Sequence, residues 1–148
     1  MPIWKSRGYA AIGLHCPVYD SNVGGALRAA FCYSAAMVAI GGGKFRHEHT
    51  DTTKAFKSIP LLRGPSILDF IPHDCVPVGV ELVDGARNLV DYTHPERAFY
   101  IFGPENGSIG KEILSKCRDV VMVPTATCMN LASTVNVVLY DRLMKRSK

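Results

Sequence analysis

A chain of 148 residues, 47% hydrophobic and 20% charged, has the balance of one globular domain, expected to span residues 1–148 and to bury a core without covalent staples. No apolar run is long enough to cross a bilayer and the opening stretch lacks a secretory pattern, so a cytoplasmic protein away from membranes is expected. The formal net charge of +4, with 17 Lys and Arg, permits an anionic partner without requiring one.

Residues 9–14 form a short apolar run before Pro17 and predict a buried strand. Asn22 stands where a helix N-cap is expected, and Ala26, Leu27, Ala30 and Phe31 follow at helical spacing, predicting a helix over 23–33. Residues 37–40 predict a second strand, closed by Gly41-Gly42-Gly43. The stretch 44–71 is polar and irregular, with two short helices expected at 53–56 and 66–70. Strands are predicted over 76–83, ended by the turn pair Asp84-Gly85, and over 98–102, which runs into Gly103-Pro104. A helix fits 111–116, and a fifth strand fits 120–123, stopped by Pro124. The segment 129–144 contains β-branched pairs that favour a strand locally. Yet Leu131, Val135, Val138, Leu139 and Arg142 step at helical period and the segment exceeds strand length, so a helix is predicted. This alternation implies an α/β domain: a mostly parallel sheet with helices on both faces, its ligands bound beyond the carboxyl ends of the strands.

The five cysteines, Cys16, Cys32, Cys75, Cys117 and Cys128, are odd in number and show no Cys-x-x-Cys spacing. Neither a disulfide framework nor a zinc site is expected, and most should be small buried hydrophobes. His47-Glu48-His49 reads as a solvated loop rather than a metal site. Lys44, Arg46, Lys54, Lys57 and Arg63, and then Arg142, Lys145, Arg146 and Lys148, read as two solvated basic faces.

Three segments after predicted strands stand out. In Asn22-Val23-Gly24-Gly25-Ala26-Leu27-Arg28, two glycines in a first helical turn cost about 1 kcal/mol each relative to Ala, which implies close backbone approach by a ligand or another chain. A helix N-terminus with Arg28 in reach would suit an anion such as phosphate, and a capped helix packed on the sheet fits equally well. Phe102-Gly103-Pro104-Glu105-Asn106-Gly107-Ser108-Ile109-Gly110 is a tight, backbone-rich loop able to offer N–H and C=O groups to an adenosine, or simply a turn. Val123-Pro124-Thr125-Ala126-Thr127-Cys128-Met129-Asn130-Leu131 joins the last strand to the last helix. There Asn130 either bonds a ligand or the first segment, or caps the helix, as Thr127 could. Gly41-Gly42-Gly43-Lys44 fails as a phosphate loop because Val38 and Phe45 occupy its required Gly and Ser/Thr positions. No Gly-x-Gly-x-x-Gly opens a helix and no Gly-x-Ser-x-Gly elbow is present.

Taken together and in order, the three segments resemble the SpoU or TrmH-like branch of the SPOUT superfamily of methyltransferases. That branch shows Asn-x-Gly-x-x-x-Arg, matched at Asn22 to Arg28; Phe-Gly-x-Glu followed by Gly, matched at Phe102 to Gly107; and a Pro before Ser-hydrophobic-Asn, matched at Pro124 and Cys128-Met129-Asn130. The resemblance implies 2′-O-methylation of RNA ribose with S-adenosyl-L-methionine as donor and S-adenosylhomocysteine as product, and the short chain is similar to TrmL-like enzymes acting on tRNA. It also implies a C-terminal trefoil knot and a homodimer. Donor contacts carry over to Glu81 or Leu82, Gly103, Val123, Cys128 and Leu131, mostly through backbone groups. Site roles carry over to Arg28, to Asn22 orienting Arg28 or the ribose, to Glu105 fixing Arg28, and to Asn130 ordering the site. Cys128 departs from the usual Ser, and a thiol is the weaker donor. Two rival expectations are a non-catalytic RNA-binding or assembly factor that keeps the fold, and another nucleotide-binding α/β enzyme, against which the missing glycine fingerprint counts.

Overall fold

In a computed structural model, which describes residues 8–43 and 57–146, the chain runs through β1 (Tyr9–His15), α1 (Asp20–Cys32), β2 (Val38–Gly41) and β3 (Leu61–Gly64). It continues through β4 (Val76–Val80), β5 (Arg87–Asn88), β6 (Arg97–Phe102), α2 (Lys111–Lys116), β7 (Asp119–Met122) and α3 (Leu131–Arg146). The His47-Glu48-His49 triplet and the helix expected at 53–56 lie outside the described residues. A 3-10 turn at Ile67–Phe70, capped by the Ser66 side chain, takes the place of the helix expected at 66–70. No helix among the described residues is long and apolar enough to cross a membrane.

All strand pairings are parallel, and the seven strands lie in the order β3-β2-β1-β6-β4-β7-β5. The central strands are buried on both faces, which is why they read as continuous apolar runs. Along β6, Ala98, Tyr100 and Phe102 join the core shared with α1 and α3, while Phe99 and Ile101 join the core beneath α2 and the Ile67–Phe70 turn. Each fully buried side chain of this size stabilises the fold by about 1.5–3 kcal/mol. The buried face of α3 is Leu131, Val135, Val138, Leu139 and Arg142, the helical stripe seen in the sequence.

Four expectations need correction. First, α1 begins at Asp20 with Tyr19, not Asn22, at the N-cap, and Tyr19 makes no side-chain cap bond. Second, β4 ends at Val80 rather than 83, because the Val83 N–H bonds back to the Glu81 carbonyl (3.2 Å) in a tight turn. Third, only Cys75 is buried, whereas Cys32 and Cys128 are exposed. Fourth, the basic residues of α3 do not form a solvated face. Arg142 is buried and donates to the carbonyls of Pro95 (2.6 Å) and Glu96 (2.8 Å) and to the Tyr100 hydroxyl (3.1 Å). Lys145 donates to the Tyr92 carbonyl (2.9 Å) and pairs with Asp141 (2.8 Å).

His94 completes this clamp, with Nδ1 2.7 Å from the Tyr100 hydroxyl and Nε2 2.7 Å from Asp141. Arg142 can only donate, so the Tyr100 hydroxyl accepts from it while also lying within hydrogen-bond distance of Nδ1 of His94. Burial holds His94 below the usual histidine range, against the opposing pull of Asp141.

Candidate active site

Gly25 of α1 serves helix packing. A Cβ on Gly25 would lie 2.6 Å from the Cβ of Ala132, so the close approach inferred from the sequence is made by α3 of the same chain. This crossing brings the starts of α1 and α3 side by side at the carboxyl edge of the sheet, where the loops after β6 and β7 also arrive.

Glu105, in the loop after β6, supplies the capping that Tyr19 lacks. Its carboxylate accepts from the backbone N–H of Tyr19 (2.8 Å), from that of Val18 (3.3 Å) and from the Asn22 amide (3.2 Å). A carboxylate at a helix N-terminus is favoured by the helix dipole. Asn22 turns its amide nitrogen to Glu105 and its carbonyl oxygen to Asn130, whose amide nitrogen donates across 2.8 Å. The Asn130 oxygen then accepts from the Ser133 N–H (3.2 Å), capping α3. Asn130 therefore performs both of the roles that its sequence left open. Residues 83 and 108 positions apart are tied into one polar chain.

These groups border a cleft of about 570 Å³, inside the range typical of small-molecule and cofactor sites. Its apolar lining includes Val80, Leu82, Phe102, Val123 and Leu131, and its backbone-rich side is made by Gly103, Pro104 and Gly107. Asn22, Glu105, Asn130, Cys128 and Glu81 also line it, so nine of the ten residues singled out from the sequence converge here. Gly103 is required by close packing, since a Cβ there would lie 3.0 Å from the Ile109 nitrogen. That same Ile109 N–H donates to Glu81 Oε1 (2.8 Å), while Glu81 Oε2 is buried with no hydrogen-bond partner among the described residues. Burial lowers the affinity of His15, at the end of β1, for a proton, and the negative charges of Glu112 and Glu81 oppose that shift.

Arg28 is the exception. It is exposed on α1, about 9 Å along the helix axis from Asn22 and outside the cleft lining of its own chain. Tyr19, Ser21, Val80 and Thr134, outside the three unusual segments and not named as site residues, also line the cleft. The only sequence signal of Tyr19, Ser21 and Thr134 was proximity to those segments.

With this geometry in hand, comparison with known proteins is informative. No curated protein matches the chain. Among solved structures, the SpoU methyltransferase AviRb from Streptomyces viridochromogenes, in complex with the cofactor AdoMet, superposes with a TM-score of 0.84 at 19% identity, covering 95% of this chain and 58% of that one. The chain thus spans about three fifths of AviRb. A structure described as giving insight into 2-OH methylation of C/U34 on tRNA matches with a TM-score of 0.81 at 17% identity, covering 97% and 94% of the two chains. The A. aeolicus TrmH/SpoU tRNA modifying enzyme matches at 0.82 and 14% identity, covering 97% and 79%. These likenesses establish a shared fold. The SpoU rRNA Methylase family matches residues 10–140, nearly the whole chain, and the chain belongs to that family.

Proposed function

We propose that this protein transfers a methyl group from S-adenosyl-L-methionine to a ribose 2′-hydroxyl of RNA, in tRNA or rRNA, leaving S-adenosylhomocysteine. The observation that carries the reading is the Glu105–Asn22–Asn130 chain bordering a cleft at the carboxyl edge of the sheet, built from the three segments that match the family motifs. The residues present fit such a donor. Apolar side chains of Leu82, Val123 and Leu131 and the Gly103 backbone suit a nucleoside, and the carboxylates of Glu81 and Glu105 favour a positively charged sulfonium and ammonium. When bound, the donor supplies an electrophilic methyl group.

The chain supplies positioning. Asn22 and Asn130, fixed by Glu105, orient the acceptor ribose against the donor site, and alignment of this kind contributes several kcal/mol to catalysis. Cys128 offers a weak S–H donor at the cleft wall where the family pattern has a hydroxyl. Guanidinium groups stay protonated in proteins, so Arg28 acts as an electrostatic and phosphate-positioning group rather than a base.

Arg28 reaches a cleft in a homodimer. It lies one turn before the exposed Phe31 on the same face of α1, and α3 exposes Val137, Tyr140 and Met144 at helical spacing. These apolar side chains support pairing of two copies, with Arg28 of one serving the cleft of its partner. The fold likeness supports a C-terminal trefoil knot in the path from β6 to α3.

The test is transfer of a tritiated methyl group to total tRNA and rRNA, followed by mapping of the labelled nucleoside. Label in ribose is expected. Label in a base, or none, overturns the reading. Arg28→Ala should lower transfer about 100-fold, and a loss of about threefold or less would remove Arg28 from the site. The exposed Cys128 favours a second reading, an RNA-binding factor without catalysis, which requires no saturable donor heat by calorimetry at millimolar concentration.

A further inference from the structure

Tyr19 is a large aromatic side chain left 57% exposed at the border of the cleft. Its backbone is held from both sides. The N–H donates to Glu105 (2.8 Å), and the carbonyl accepts from Asn22 (3.1 Å) and Val23 (3.3 Å) at the start of α1. Val18 beside it is 44% exposed, and Leu82 in the cleft lining is 49% exposed. A ring whose backbone is pinned by a carboxylate, and which has only two side-chain torsions, is presented to solvent at small entropic cost on binding. It sits next to Asn22, the residue assigned to the acceptor ribose, so a planar group carried by that ribose lies within its reach.

We propose, resting on the methyltransferase reading, that Tyr19 is the wall against which the nucleobase of the acceptor nucleotide stacks. Every base has a π-face, so this contact grips an unpaired RNA nucleotide with little regard for which base it carries. Sequence preference then has to arise elsewhere. Val18, its neighbour in the chain, and Leu82, in the cleft lining, are further exposed apolar groups. The adenine of the donor is also a nucleobase, but Phe102 and Leu131 of the cleft lining are buried and suit it, whereas Tyr19 is exposed to solvent, from which RNA arrives.

Binding of end-labelled total tRNA by fluorescence anisotropy, over a series of salt concentrations, tests the assignment on the full chain. Tyr19→Ala and Tyr19→Leu should each weaken tRNA binding about tenfold, and Tyr19→Phe should stay within about twofold of wild type. The dependence of binding on salt should keep its slope, because no phosphate contact is lost. Donor binding by calorimetry and the melting temperature of Tyr19→Ala should be unchanged. Equal binding by the Leu and Phe variants, a reduced salt slope, or loss of donor rather than RNA binding would overturn the proposal. Wild-type protein that binds tRNA but transfers no methyl group sinks the methyltransferase reading while leaving the Tyr19 comparison decisive.

Discussion

A carboxylate can only accept hydrogen bonds, so Glu105 dictates which end of the Asn22 amide faces it, and that choice passes on to Asn130 and to the first turn of α3. Asn130→Asp exposes the consequence. Asp is as good a helix cap as Asn, yet its second oxygen would meet the Asn22 oxygen, two acceptors with no hydrogen between them. The variant should lose about 1–3 kcal/mol of stability in thermal unfolding despite retaining a favoured cap. Wild-type stability would mean that the polar chain does not persist in solution. Cys128 allows a complementary test. Replacing the thiol by a hydroxyl in Cys128→Ser should keep methyl transfer at or above the wild-type rate in the tritium assay, because the hydroxyl is the stronger donor at the same cleft wall.

The crossing of α1 on α3 sets where these residues meet, and it depends on one missing methyl group. Gly25→Ala gains up to about 1 kcal/mol of helix propensity but places its Cβ 2.6 Å from that of Ala132. Because two backbones must then separate, the net expectation is a loss of about 1–3 kcal/mol, read as a drop of several degrees in melting temperature. Adding Ala132→Gly should return part of it. The elements that the sequence made legible are those whose partners are local or whose burial is two-sided. β1, β2, β6, β7 and α2 matched to within a residue at most boundaries, and the long helix declared itself through its buried stripe. β3 was hidden because it is a half-exposed edge strand, and β5 because two residues carry no pattern. The start of α1 was misplaced for a different reason: its cap is Glu105, 86 residues from Tyr19, so no local signature exists. Arg142 and Lys145 were read as solvated charge for the same cause, since Arg142 meets Pro95, Glu96 and Tyr100 across 42 to 47 positions. Most of the cleft residues were named because the three segments jointly resemble one family, which singly none of them does. Tyr19 and the location of Arg28 depend on three-dimensional placement alone.

At the scale of the whole molecule, the sheet separates two chemistries. The cleft lies at the carboxyl edge, and the buried polar clamp ties α3 to the chain entering β6 at the opposite edge. His94 is enclosed by Tyr92, Tyr100, Asp141, Arg142 and Lys145 and binds a proton less readily in the folded state than in the unfolded one. The unfolded state therefore takes up more protons as pH falls below about 6.5, and the stability contributed by neutral His94 is complete above that value and lost as pH drops toward the folded-state pKa. Melting temperature should fall between pH 7.5 and 5.5, with a smaller fall in His94→Gln. An identical pH dependence in the two proteins would exclude His94 as its source, and His15, shifted in the same direction, would be the next candidate. Light scattering addresses the dimer. Wild type should show twice the chain mass and Tyr140→Glu, on the exposed face of α3, a monomer, while a monomeric wild type with full activity would show that each cleft is complete within one chain. The cleft is also assembled from segments drawn from positions 19–22, 80–82, 102–107 and 123–134, so no contiguous part of the chain contains it. Contacts of such long sequence separation form late in folding. Donor binding thus becomes a signal of completed folding: a partly folded chain has nothing to bind with, and saturating donor should raise the melting temperature by mass action.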